Sequence, residues 1–240
     1  MNIKIFNDHE TLSDAVAEDA YALIQSKQDA VVCFASGETP RSTCRLLVEK
    51  LITAKTDLSH CTFIGLDEWV GISPDNEGSC HYFFKQELIG PLRLSLDQFH
   101  LFNALSHDLQ HECKKMDGII AAKDGIDLII VGIGMNGHIG FNEPGVSFEN
   151  FSHVIQLDET TRSVGQKYFK TPQNLEKGIT LGLKHLLQAK KAILLANGKA
   201  KAEVISHTVH DKVSSAFPAT IMQTHPNGHI MADREAASLL

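Results

Sequence analysis

Eleven consecutive residues, Gly134-Met135-Asn136-Gly137-His138-Ile139-Gly140-Phe141-Asn142-Glu143-Pro144, hold a His, a Glu, two side-chain amides and three glycines. His together with Glu can move protons near neutral pH, and glycines let backbone turn tightly and approach a ligand. Asn136, Gly137, His138 and Glu143 are therefore candidate site residues. A second cluster is Gly65-Leu66-Asp67-Glu68-Trp69-Val70-Gly71. Adjacent carboxylates behind an apolar run have perturbed pKa values when enclosed, and either Asp67 or Glu68 could act as a general base. The same pair also reads as a solvated loop with a helix-capping acid. Trp69, the only tryptophan, reads as a packing anchor. A third cluster, Ala35-Ser36-Gly37-Glu38-Thr39-Pro40-Arg41, joins an apolar run to an amphipathic one. Thr39 as N-cap and Pro40 at the first helical position would open a helix whose amino terminus favours an anion. A phosphate cradle and an ordinary capped turn both fit. Lys199, after the Asn197-Gly198 turn, stands within reach of an anion, and alone it also reads as a solvated lysine at a helix start.

The elements that must carry these clusters alternate in type. Apolar periodicity places helices over residues 10–26, 40–55, 82–89, 107–123, 160–169 and 199–209. Short apolar runs predict strands at 30–34, 62–66, 126–133, just before 157, 179–182, 191–196 and 228–232. Strands alternating with helices indicate a Rossmann-like, three-layer α/β fold whose mainly parallel sheet is covered on both faces. No repeat, low-complexity tract or linker divides residues 1–240, so one domain is expected. In such sheets ligands bind beyond the carboxyl ends of strands, where all three clusters fall.

Composition narrows the class. Apolar residues make up 43% and charged residues 21%, ordinary for a soluble globular protein. A net charge of −7 argues against nucleic acid as the main partner. No apolar run reaches about 18 residues, so no membrane span is expected, and the amino terminus lacks a signal-peptide core. Five cysteines without a CxxC spacing read as reduced thiols, which points to the cytoplasm. A homo-oligomer is compatible with all of this. The pairs His207/His210 and His225/His229 have helix-like spacing but no recognisable acidic or Cys partner, so they read as surface histidines and no metal is expected. Gly132-x-Gly134-x-x-Gly137 matches a dinucleotide fingerprint, with Asp158 about twenty residues on. That reading needs a helix at the glycines, and Gly140, Pro144 and Gly145 oppose one.

Four stretches in order, Ser36-Gly37-Glu38-Thr39-Pro40, Leu66-Asp67-Glu68-Trp69-Val70, Asn136 to Pro144, and Gly198-Lys199, resemble the deaminases/isomerases of glucosamine 6-phosphate and galactosamine 6-phosphate. The resemblance runs over nearly the whole chain. It implies conversion of a 2-amino-2-deoxyaldose phosphate to a ketose phosphate and ammonia, without a cofactor. It implies that Asp67 moves a proton between C2 and C1 and that His138, oriented by Asn136 and Glu143, opens the sugar ring. It assigns phosphate binding to Ser36, Gly37, Glu38 and Thr39 with Lys199 and Lys167, and puts Glu68 and Gly137 near the site. Two departures stand out: Asn136 where the glucosamine branch usually has Asp, and Lys167 where Arg is common. An amide can hydrogen-bond His138 but offers an imidazolium no full charge. Asn at 136, together with Leu66 to Trp69, Ile179 to Lys184 and Lys212 to Ala216, is similar to the galactosamine branch. The expected substrate is therefore galactosamine 6-phosphate, giving tagatose 6-phosphate, with glucosamine 6-phosphate as the alternative. The amino-sugar activator site of some members is expected to be missing. Phosphogluconolactonases resemble this fold and share a Gly-His loop but lack the Phe141 to Pro144 run. A non-catalytic sugar-phosphate sensor would have no need of Asp67, His138 and Glu143 together.

Overall fold

A computed structural model describes residues 1–240. Its strands are β1 (Asn2–Phe6), β2 (Val31–Phe34), β3 (Thr62–Gly65), β4 (Asp67–Trp69), β5 (Phe99–His100), β6 (Leu128–Val131), β7 (His153–Gln156), β8 (Lys177–Thr180), β9 (Lys191–Ala196) and β10 (Gly228–Asp233). Its α-helices are α1 (His9–Ser26), α2 (Glu38–Thr53), α3 (Cys80–Phe84), α4 (Gly90–Leu92), α5 (Leu109–Ala122), α6 (Glu159–Gly165), α7 (Leu183–Gln188) and α8 (Ala202–His210). Seven strands form one parallel sheet in the order β1-β10-β9-β6-β2-β3-β5.

Each central strand is apolar on both faces because each face meets helices. Val31 and Cys33 point into one core with α5, α7 and α8, while Val32 and Phe34 point into the other with α1 and α2. Leu128 and Ile130 alternate with Ile129 and Val131 in the same way. The result is the three-layer α/β arrangement expected from the alternating runs, which positions one rim of loops at the carboxyl ends of β9, β6, β2 and β3, four strands adjacent in the sheet. From β2 the chain order runs outward through β3 to β5 on one side and from β6 through β9 to β10 on the other. A crevice is expected where that direction changes.

The structure departs from the sequence reading in three places that bear on the site. The apolar run from Thr62 is not one strand. It leaves the parallel sheet at Leu66, and Asp67–Trp69 pairs antiparallel with β8, which pairs antiparallel with β7. The segment near 179–182 therefore belongs to a small second sheet. Helix α2 begins two residues early, at Glu38, with Gly37 as its cap at φ +119°. Thr39 is already helical, and its hydroxyl donates to Asn197 Oδ1 at 2.7 Å instead of capping. The helix expected over 82–89 starts at Cys80 and becomes a π-helical turn over Lys85–Ile89.

Candidate active site

A cavity of about 220 Å³ opens at the rim of the β2, β3 and β6 carboxyl ends. Ser36 to Arg41 line one side, Asp67 and Trp69 the floor, Gly132 to Met135 with His138 another side, and α6 with the following Lys167 and Tyr168 the cover. Gly165 makes that cover possible, since a Cβ there would lie 2.5 Å from the Trp69 ring. Trp69 is buried, packs tilted against Phe141 with ring centres 4.5 Å apart and edge-on against Phe169 at 6.0 Å, and so also fixes the loop that carries His138.

Strand alternation separates the two carboxylates. Asp67 and Trp69 face the cavity, and Glu68 faces away. Glu68 is the helix-capping acid of the two, although buried and not solvated: it accepts the N–H groups of Trp69 at 2.9 Å, Cys80 at 3.0 Å and His81 at 2.7 Å. Burial raises its pKa despite those three donors. Asp67 has far less compensation. Burial first, then the neighbouring Glu68 charge, lifts its pKa to about 7 against one weak donor, the Cys80 thiol at 3.5 Å from Oδ1. A carboxyl with a pKa near the working pH is suited to take and return a proton.

His138 sits on a turn built by glycines. Gly134 N–H donates to the His138 carbonyl, Gly137 N–H to the Gly134 carbonyl, and Gly137 itself holds φ +80° with the Phe217 ring where a Cβ would go. The Asn136 amide nitrogen donates to Glu143 Oε2 at 2.9 Å, which turns its oxygen to His138 Nδ1 at 2.7 Å. A carbonyl oxygen only accepts, so Nδ1 carries the proton and Nε2 is left with a lone pair. The Thr161 hydroxyl lies 3.1 Å from Nδ1, and Glu143 Oε2 lies 3.6 Å from it. Burial opposes the charge on Glu143, but the neighbouring His138, Thr161 and Asn136 side chains outweigh it and hold its pKa below the usual carboxylate value. Glu143 and Asn136 thus stand behind the histidine and do not line the cavity, and neither does Gly137.

The basic groups differ from expectation by one turn. Gly198 at φ +82° starts a 3₁₀ turn that leaves Lys199 exposed and outside the lining. Lys201, two residues on, reaches inward and donates to the Ile133 carbonyl at 2.6 Å. Burial, with Lys167 nearby, brings its pKa down to about 8. Lys167 lines the cavity, its ammonium 5.0 Å above the Tyr168 ring. Ser36, Gly37, Glu38 and Thr39 all line it too, but the Glu38 carboxylate is exposed and paired with Arg41 at 2.9 Å. What that segment can offer an anion is its first-turn N–H groups, which have no intrahelical acceptor. Cys80, Tyr168 and Thr161 line the cavity without any sequence signal that singled them out, and Arg41, the last residue of the 35–41 cluster, lines it as well. Among the histidine pairs, His225 is no surface residue: it is buried, with Nε2 at 3.0 Å from the Ala189 carbonyl and Nδ1 accepting from Asn227 N–H.

Residues 8–231 match the family described as glucosamine-6-phosphate isomerases/6-phosphogluconolactonase. The chain is 40% identical to a glucosamine-6-phosphate deaminase of Bacillus pumilus over the full length of both. It is 38% identical to one of Thermoanaerobacter pseudethanolicus, covering 100% of this chain and 95% of that one. A solved monomeric glucosamine-6-phosphate deaminase superposes with a TM-score of 0.95 at 33% identity and full coverage of both chains. The 6-phosphogluconolactonase of Trypanosoma brucei shares the fold, with a TM-score of 0.81 at 18% identity. With residues 8–231 matching the family and its whole length aligned to a relative at 40% identity, the chain belongs to the glucosamine-6-phosphate isomerase/6-phosphogluconolactonase family.

Proposed function

We propose that this protein is an amino-sugar-phosphate deaminase/isomerase and that its substrate is glucosamine 6-phosphate, converted to fructose 6-phosphate and ammonia. The observation that carries this reading is one cavity holding a carboxyl of pKa about 7, a histidine whose Nδ1 is committed to Asn136, and two lysines beside a helix amino terminus. His138 Nε2 would pass a proton to and from the ring oxygen as the pyranose opens. Asp67 would then take the C2 proton and deliver it to C1, leaving an imine at C2 that water hydrolyses to the ketone and ammonia. The first-turn amides of α2 with Lys201 and Lys167 would hold the phosphate, so that binding far from C1 and C2 supplies the positioning.

The names of the relatives favour the gluco epimer over the galacto epimer expected from the sequence. Asn136, which prompted that expectation, touches His138 and Glu143 and not the cavity, so it acts on the histidine and has no reach to a C4 hydroxyl. The test is ammonia release from glucosamine 6-phosphate and galactosamine 6-phosphate in parallel. Release from neither sinks the enzyme reading, and a preference for the galacto sugar reverses the choice of epimer.

A further inference from the structure

Cys80 is the one thiol in the cavity lining, and it touches both carboxylates of the Asp67-Glu68 pair. Its backbone N–H, at the start of α3, donates to Glu68 Oε1 at 3.0 Å. Its Sγ lies 3.5 Å from Asp67 Oδ1 and accepts from the Ser36 hydroxyl at 3.0 Å. The donors therefore run in one direction, from Ser36 on the loop after β2, through the thiol, to the carboxylate. Asp67 Oδ2 accepts nothing from the protein. An orientation in which Oδ1 is held and Oδ2 is free is what a single carboxylate needs to work on two adjacent carbons from one face.

We propose that Cys80 is a positioning residue for Asp67: its thiol, aligned by Ser36, pins Oδ1 so that Oδ2 alone is presented to the substrate. The proposal rests on the role of Asp67 in the deaminase reading. A hydroxyl or an amide in the same place would donate more strongly and favour the ionised form. The thiol itself is not a nucleophile here, because burial and the two carboxylates hold its pKa well above the ordinary thiol value. With its proton directed to Cys80, Ser36 is a link between the proposed phosphate loop and the base, and not a free phosphate donor. The titratable groups that face Asp67 are Glu68 beside it, Cys33 on β2, Cys80 on α3 and Tyr168 after α6, with His138 lining the same cavity.

The experiment follows Asp67 directly through its carboxyl resonance by NMR titration, with Asp67→Asn identifying the signal, beside the acid limb of kcat/KM for ammonia release. In Cys80→Ala, resonance and limb are expected to move up together by about half a pH unit or more, because a donor to the ionised form is gone. In Cys80→Ser, a stronger donor, both are expected to move down. The inorganic phosphate Ki should change less than twofold in either variant. An unmoved resonance in Cys80→Ala, or an upward shift in Cys80→Ser, overturns the proposal. If the alanine variant does not fold, the sign of the serine shift decides alone. Absence of ammonia release from the unaltered protein would sink the deaminase reading instead, and the resonance titration would still judge Cys80.

Discussion

Asp67 is an ionisable side chain held where ionisation is unfavourable, and the consequence reaches both stability and rate. Its pKa is about 7 in the folded protein against the ordinary 3.8. Between those values the folded protein keeps a proton that the unfolded chain has released, so this group makes stability fall as pH rises through that window. Asp67→Asn removes the penalty and keeps an oxygen for the Cys80 thiol. The variant is expected to be more stable than the parent by about 1–3 kcal/mol at about pH 8, with the difference vanishing near pH 4, while kcat falls about a thousandfold or more. Urea unfolding across pH and ammonia release measure the two halves, and near-normal turnover would remove Asp67 from the role of base. Asn136 shows the opposite case, a neutral side chain that suits its neighbours better than a charge would. Its amide nitrogen serves Glu143 at 2.9 Å while its oxygen serves His138. Asn136→Asp would set two carboxylates against each other, and the Glu143 carboxyl, now held below its usual pKa, would lose a donor. We expect a loss of about 1–3 kcal/mol at about pH 8 that shrinks toward pH 5, where the pair can share a proton. A loss that grew on acidification would contradict this account of the pair.

At the scale of elements, the start of α2 is the clearest case of backbone setting a site. Gly37 lies at φ +119°, ψ −178°, a region essentially reserved for glycine, and this lets the helix begin at Glu38 with its first turn lining the cavity. A Cβ at Gly37 would meet only the Tyr168 hydroxyl at 3.5 Å, so Gly37→Ala suffers from backbone strain and not from crowding. The expected result is a stability loss of about 1–3 kcal/mol with a raised KM and a kcat within about threefold, read from unfolding curves and steady-state rates. An unchanged KM would separate the amides of this turn from phosphate binding. The same turn shows what could and could not be read from the chain. Apolar periodicity located most helices and strands, and Gly134 to Pro144 announced a loop with proton-transfer groups. Thr39-Pro40 advertised a helix start, yet the glycine conformation that begins α2 earlier has no signature in residue type. Likewise the turn at Gly198 decides whether Lys199 or Lys201 points inward, and two lysines two residues apart look alike in sequence. β1 escaped notice because most of its side chains are exposed, and β4 because its bend out of the sheet is set by pairing with β8, over a hundred residues away in the chain. Cys80 meets Asp67 from 13 residues further along, a contact that no local pattern encodes.

For the whole molecule, the proposed function asks a chain with a net charge of −7 to hold a sugar phosphate. The proposed means are local: Lys201, Lys167 and the first turn of α2, with its positive helix end, line the same cavity. Lys201 is the strained member, since burial and Lys167 lower its pKa to about 8. A bound phosphate would favour the ammonium form, so binding is expected to draw a proton onto Lys201 above about pH 8 and to release or take up none from it well below that value. Affinity for the phosphate dianion should then weaken above about pH 8, approaching tenfold per pH unit. Calorimetry in buffers of different ionisation enthalpy measures the uptake. Lys201→Met should abolish it and weaken binding about 10–100-fold. The same linkage acts on stability, because a ligand at about a hundred times its Kd adds about 2.7 kcal/mol and, for a chain of this length, raises Tm by about 5–10 °C. Lys199→Met should leave both the uptake and the Tm shift as they are, since its side chain lies outside the cavity; equal losses from the two substitutions would show that the turn after Gly198 does not select between them.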